Sequence, residues 1–356
     1  MNEQIHIIAP GKLILCGEYA VLEGADALVM AVNKYLHLNI SPSPGDESIF
    51  SGEGLKIPDT HFTLKNNKIF FDTDVKTQKK LELAANLMNY AIQHIAGAEE
   101  RLRQIHIKID SKDFYVQDHK LGFGSSAALA AALFYYFLAR NENNFESPNK
   151  SQLIKLAWDS HRAFQSNKGS GIDIHSSVLG GMLQYRLHFG KEGTVSQYAQ
   201  LDYRDLPLCV VYAGYSTSTS EMLHRVTDFK RQSPKEFSHL MVDMGNISSQ
   251  AINAYLNHEV GTVIDNINEY RRLLDLLGRK SGCDIISGFH SNLAKIVESE
   301  NGAYKPSGAG GGDIGIIVAD SYERLEHIKK KLVKANILSI DISIDEIGVR
   351  DERKTY

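Results

Sequence analysis

Leu121-Gly-Phe-Gly-Ser-Ser-Ala-Ala-Leu-Ala-Ala-Ala-Leu133 is the stretch on which the reading of this 356-residue chain turns. Gly122 and Gly124 permit a tight turn or a close backbone approach to a ligand, because glycine carries no Cβ. Ser125 and Ser126 follow, and serine is favoured at helix starts. The alanine and leucine run beyond them, reaching Leu138, is strongly helix-forming. The segment predicts a loop feeding the N-terminus of a buried helix. Such a terminus offers unpaired N–H groups and the positive end of the helix dipole, and both attract phosphate. These residues alone leave two readings open, a phosphate cradle and a capped core helix with no ligand. The Gly-Lys-Ser/Thr ending of a Walker loop is absent.

The whole chain bounds what surrounds this segment. A hydrophobic content of 43%, a charged content of 23% and a net charge of −4 describe an ordinary soluble globular protein, long enough for two domains. Nothing in that balance points to nucleic acid or an anionic membrane as partner, and an anionic ligand would need locally placed cations and helix termini. Cys16, Cys209 and Cys283 lie far apart without metal-ligand spacing, and read as reduced thiols of a cytoplasmic protein. No apolar run approaches the length of a membrane span, so neither a span nor a signal peptide is expected.

In chain order, residues 4–9 read as a strand, Pro10-Gly11 as a turn, and 12–17 as a further extended run. Residues 20–32 suggest strand, loop, strand, and 35–40 another strand. A hairpin region is expected over 41–75, a helix over 79–96 closed by Gly97, and a half-buried strand at 105–109. A second helix is expected over 151–165, and strands at 182–187, 208–212 and 314–318. A long helical stretch covers 221–298, a basic helix 325–332, and terminal strands 337–347. Arg271, Arg272, Arg279 and Lys280 read as a solvated helix face.

Two side chains stand out for chemistry. Lys12 follows the Pro10-Gly11 turn, a position that is usually surface. Asp173 sits between Ile172 and Ile174, where a buried carboxylate needs a cation or donors, unless it caps a helix. Five glycines between residues 308 and 315 mean that backbone comes very close to something.

Pro10-Gly-Lys-Leu-Ile-Leu-Cys-Gly-Glu-Tyr-Ala-Val21, Leu121-Gly-Phe-Gly-Ser-Ser-Ala-Ala128 and Ser307-Gly-Ala-Gly-Gly-Gly-Asp313 together resemble the three signature motifs of the GHMP small-molecule kinases, in that family's order and roughly its spacing. The resemblance implies an α+β fold of two domains, residues 1–205 binding ATP and 206–356 forming the second, with the active site in the cleft between them. It implies Lys12 and Asp173 as catalytic residues. Gly122, Phe123, Gly124, Ser125, Ser126 and Ala127 would hold the ATP phosphates, and Ser126 (less favourably Ser125) would approach Mg2+. The acceptor would meet Lys12, Glu18, Tyr19, Ser170, Gly171, Asp173, Ser307, Gly308, Ala309 and Gly310, with Lys120, Lys168 or a central arginine as added cations.

Within the family the chain is more similar to the phosphomevalonate kinases. It has Gly-Ala-Gly-Gly-Gly-Asp in the third motif and Glu18-Tyr19 in the first. His161-Arg-Ala-Phe-Gln165 precedes Gly169-Ser-Gly-Ile-Asp-Ile174, and Arg162 stands where mevalonate kinases carry a magnesium-binding Glu. The implied activity is phosphorylation of phosphomevalonate to diphosphomevalonate in isoprenoid biosynthesis, by a monomer or homodimer. The alternatives are a mevalonate kinase or another GHMP kinase acting on a hydroxyl and, more remotely, a non-catalytic ligand-binding regulator.

Overall fold

The computed structural model describes residues 4–116, 119–139, 146–165, 169–190, 193–203, 205–215 and 219–354. Its first half is built around β1 (Ile5–Cys16) and β2 (Ala27–Pro42), a long antiparallel pair. After β3 (Ser48–Glu53), β4 (Ile57–Lys65) and β5 (Lys68–Phe71) come α1 (Val75–His94) and β6 (Ile105–Asp110). The short pair β7 (Tyr115–Val116) and β8 (His119–Lys120) leads into α2 (Ser125–Ala139), α3 (Lys150–Phe164) and α4 (Ile172–Leu179), and the hairpin β9 (Met182–Gly190) and β10 (Gly193–Leu201) follows. The main sheet runs β10-β9-β2-β6-β3-β4-β5, with β1 laid along β2. β3 and β6 are parallel.

The second half has a smaller antiparallel sheet and a set of helices. They are β11 (Leu208–Tyr212), α5 (Thr219–Gln232), α6 (Pro234–Leu256), α7 (Val260–Ser281), α8 (Gly288–Glu298), β12 (Ala303–Pro306), β13 (Ile314–Val318), α9 (Tyr322–Lys334) and β14 (Ser339–Ile340). The sheet order is β12-β13-β11-β14. The chain then leaves this half. Ile344 bridges to Val32, and β15 (Arg350–Asp351) pairs with β1, so the tail packs on the first sheet. One apolar core runs from β1 and α2 through α6 and α7 to β13, and a smaller cluster around Cys209, Leu293, Ile317 and Ile328 lies under α8 and α9.

Several local expectations change. Pro10-Gly11 makes no turn, because β1 continues through it with a register shift between the two residues. Proline lacks the amide that a regular ladder needs, and a bulge accommodates it. Residues 20–32 are a short 3-10 turn followed by the start of β2, and β2 absorbs the separate strand expected at 35–40. β10 was not foreseen; its mostly exposed, uncharged and largely polar residues show no apolar alternation. Helix α1 starts at an Asp74 N-cap, whose side chain accepts from the amides of Lys76 and Thr77, and ends at Ile95 before Gly97. Among the described residues no helix is long and apolar enough to cross a membrane.

Candidate active site

Three loops far apart in sequence meet at the middle of β1. Lys12 lies just past the bulge, 8% exposed, and its amide donates to the Phe123 carbonyl at 2.8 Å. Its ammonium donates to the Gly122 carbonyl at 3.1 Å. Burial pushes the Lys12 pKa down, while the carboxylates of Asp173, Glu18 and Asp313 oppose the shift and Lys305 adds to it. A lysine in such a place is a charge the fold has gone out of its way to surround with acids.

The loop Leu121–Gly124 wraps over this lysine. Gly124 has φ +86°, and a Cβ there would stand 3.3 Å from Lys12 Cγ and 3.7 Å from Asp173 Cβ. Any side chain would therefore fill the space between the two candidate catalytic groups. The Gly124 carbonyl accepts from the amides of Ala127 and Ala128 at 3.0 and 3.1 Å, so Ala127's amide is already engaged. The amides of Ser125 and Ser126 precede the first helical donor, Ala127, and stand at the positive end of α2. Both serines are partly exposed. Phe123 is fully buried, with its carbonyl on Lys12, so its side chain belongs to the core rather than to a ligand.

Asp173 enters from α4. Gly171 (φ +76°) caps that helix, not Asp173, which occupies the first turn and accepts from the Ile174 amide at 3.1 Å. The cap is held from behind. His175 Nδ1 donates to the Gly171 carbonyl at 2.8 Å, and its Nε2 accepts from Ser196 Oγ at 2.8 Å. Burial pushes the His175 pKa down to about 4, so this ring is neutral, as that tautomer requires. The Tyr185 hydroxyl donates to the Ser170 carbonyl.

The third loop is stitched to the first. Lys305, fully buried, forms an ion pair with buried Glu18, and the Gly308 amide donates to the same carboxylate at 3.3 Å. Ser307 Oγ bonds both the amide and the carbonyl of Ile14, each at 3.1 Å. The Tyr19 hydroxyl donates to the Ala309 carbonyl at 2.6 Å. Glu18, Tyr19 and Ser307, all expected to touch the acceptor, bond across the joint between the end of β1 with the residues after it and this loop.

Much of the loop's backbone is likewise committed. The amides of Ser307, Gly311 and Asp313 donate to the carbonyls of Ile314, Ile285 and Tyr215 at 3.0, 2.8 and 2.8 Å. What the glycines approach is therefore the protein itself. Cβ atoms on Gly310 and Gly312 would lie 2.7 Å from Ile285 and 2.8 Å from the Tyr215 carbonyl. Gly308 and Ala309 remain partly exposed, and a Cβ on Gly308 would be 4.0 Å from Lys12 Nζ.

Two residues escaped the sequence reading. Asp313 seats its side chain against Gly122, and Lys305 is the buried partner of Glu18. Asp313 carried a weak signal, as the acidic residue that ends a glycine run; Lys305 carried none. Lys120, at the end of β8, is exposed, and the protein packed around it lowers its pKa while Asp313 and Asp173 raise it. The central basic residues stay out of the site, since Arg271, Arg272, Arg279 and Lys280 pair with Glu298, Glu269, Asp275 and Glu236. Lys168 lies outside the described residues.

Residues 70–181 match the family described as GHMP kinases N terminal domain. A mevalonate kinase of Pyrococcus abyssi is 23% identical over 351 residues, spanning 97% of this chain and 98% of its own. A phosphomevalonate kinase of Saccharolobus solfataricus is 24% identical over 358 residues, spanning 98% and 99%. Among solved structures, Streptococcus pneumoniae phosphomevalonate kinase in complex with phosphomevalonate and AMPPNP shares the fold, with a TM-score of 0.77 over 96% of this chain and 100% of that one, at 18% identity.

Proposed function

Because this chain carries the N-terminal domain of the GHMP kinases and shares the fold of such a kinase along nearly its whole length, we propose that it transfers the γ-phosphoryl group of ATP to a small mevalonate-type acceptor, and that the acceptor is phosphomevalonate. The observation that carries the reading is the meeting of Lys12, Gly122–Gly124 and Asp173, with Lys12 Nζ 3.1 Å from the Gly122 carbonyl. In this reading residues 1–205 form the ATP-binding domain and 206–356 the second, with the tail beyond 342 folded back on the first.

Phosphoryl transfer is chiefly positioning and charge stabilisation. The Ser125 and Ser126 amides, at the dipole's positive end, hold the ATP phosphates. Lys12 neutralises charge that builds on the transferred group. The Ser126 hydroxyl and the Asp173 carboxylate, both oxygen ligands of the kind magnesium prefers, would hold that ion, which would supply positive charge to the phosphates. Asp173 orients the acceptor and balances the lysine. A phosphate acceptor is already anionic near neutral pH, so little proton abstraction is asked of Asp173.

Two features favour the phosphorylated acceptor. The carboxylates of Asp313 and Asp173 act on both Lys120 and Lys12, and these two lysines are the cations offered to an acceptor phosphate. Arg162, where a hydroxyl-directed relative would carry a metal-binding carboxylate, lies over the Trp158 ring at 5.9 Å and donates to Thr194 Oγ1 at 3.3 Å. A coupled ADP-release assay with phosphomevalonate and mevalonate in parallel tests the choice. Turnover with mevalonate alone transfers the reading to the mevalonate kinases, and turnover with neither ends it.

A further inference from the structure

Away from the cleft, three metal-ligating side chains from three elements meet on the main sheet. β1 and β2 pair with Ile7 opposite Leu38 and Ile8 opposite His37. His6 and His37 therefore stand diagonally on one face, while Ile7 and Leu38 are buried on the other. His6 Nε2 and His37 Nδ1 are 3.1 Å apart, and the two rings stack with their centroids 5.3 Å apart. The tail supplies the third group. Asp351 of β15 pairs with Ile7, and the next residue, Glu352, brings its Oε2 to 2.8 Å from His6 Nδ1. Arg353 fixes this arrangement, binding the buried Asp351 carboxylate at 3.0 and 2.8 Å and the Gln4 carbonyl at 2.9 Å. One ligand atom from each of His6, His37 and Glu352 lies within 4.8 Å of the other two. All three residues are partly exposed, so an ion can reach them from solvent.

We propose that His6, His37 and Glu352 form a binding site for a transition-metal dication of the zinc class, which fastens the C-terminal tail to the first two strands. Two imidazoles and a carboxylate are a donor set that zinc takes, and they leave a fourth position for water. Ligands held about 2.0–2.1 Å from a tetrahedral ion stand about 3.3 Å from one another, near the 3.1 and 2.8 Å separations found here. The widest span closes by rotation of the Glu352 side chain, which is 43% exposed. As the ion enters, the hydrogen between the rings leaves the nitrogen that carried it. A neutral ring shifts that proton to its outer nitrogen and an imidazolium releases it to water, so each ring ligates through a free lone pair. Nitrogen donors select against magnesium, which takes oxygen ligands. His6 also lies six residues before Lys12 along β1, about 20 Å at 3.3 Å per residue, so this ion is separate from any that a nucleotide would bring. Sequence spacing could not announce the site, because His6 and His37 are 31 residues apart and Glu352 comes from the other end of the chain.

The test is titration of the nucleotide-free, full-length protein with zinc chloride, followed by calorimetry and by competition with a chromophoric indicator. The wild type should bind one equivalent in the presence of excess magnesium, and its melting midpoint should rise with zinc by mass action. His6→Gln and His37→Gln should each lose both that equivalent and the rise. Glu352→Gln, a change at an exposed tail side chain, should weaken binding about tenfold or more. Midpoints measured without zinc verify that each variant folds, and should a strand variant fail to fold, Glu352→Gln alone decides. A wild type that binds no zinc overturns the proposal and leaves only a hydrogen-bonded histidine pair. An equivalent retained in both histidine variants overturns it too, because the ion then lies elsewhere, and unchanged affinity in Glu352→Gln overturns the fastening of the tail. No nucleotide or acceptor enters the measurement, so its outcome stands apart from the substrate assay.

Discussion

Replacing Lys12 by methionine removes one charge and little volume from the centre of the site. The ammonium is buried and donates to the Gly122 carbonyl at 3.1 Å. A unit charge about 4 Å from a developing negative charge, at an effective dielectric near 20, contributes about 4 kcal/mol. At 1.36 kcal/mol per decade that is roughly 10³-fold in rate, within the 10²–10⁴-fold range of a single positioned group. The fold should survive, because burial disfavours the charge being removed and methionine fills the same channel. Steady-state ADP release with saturating nucleotide and acceptor gives kcat, and urea unfolding verifies the fold. A folded Lys12→Met protein that turns over within tenfold of an active wild type refutes the assignment of Lys12. Asp173→Asn should fall in the same range, and a near-normal rate would remove Asp173 from the mechanism.

Other outcomes follow from the same geometry. Lys305→Met leaves Glu18 charged and buried without its partner, and should destabilise the protein by about 3–5 kcal/mol in denaturant unfolding; the double variant with Glu18→Gln should recover most of that, and an equally unstable double would show that the pair is not the reason. Gly171→Ala forces a left-handed alanine into the Trp158 indole and should lower stability by about 2–4 kcal/mol; a loss below about 1 kcal/mol means that the cap has room. His175 has a folded pKa of about 4 against an ordinary 6.5, so between those values the unfolded chain binds the extra proton. Stability must then fall as pH drops from about 6.5 toward about 4, by up to about 3 kcal/mol for this ring. Unfolding midpoints at pH 7 and pH 4.5 measure it, and a His175→Gln protein with an unchanged pH slope would exclude His175 as the cause.

Much of the framework was legible because its determinants are local. Strands 208–212 and 314–318 are short apolar runs between turn residues, and the structure places β11 and β13 on those residues. The helix after Ser125 was legible from its alanine content, although it is buried nearly all round and so carries no amphipathic stripe. β10 was not legible, for an exposed edge strand has no buried face to impose a pattern. The continuity of β1 through Pro10 was hidden for a different reason. A proline in a strand needs a bulge, and the bulge is stabilised by pairing with β2 rather than by anything in the Pro10-Gly11 dipeptide.

The order of three glycine loops, an alanine-rich helix behind two serines, and an acid between isoleucines were properties of the chain read alone, because turn-forming, capping and burial preferences act over a few residues. Which of those groups face the cleft was decided by tertiary structure. Glu18 and Lys305 are 287 residues apart and meet only because β12 folds against the end of β1. That pair, with Ser307 on Ile14 and Tyr19 on Ala309, turns several expected acceptor contacts into the joint between two loops. The same closure brings Asp313 to Gly122. The Coulomb energy of a charge depends on the distance and dielectric around it, and neither exists until the distant segments have packed.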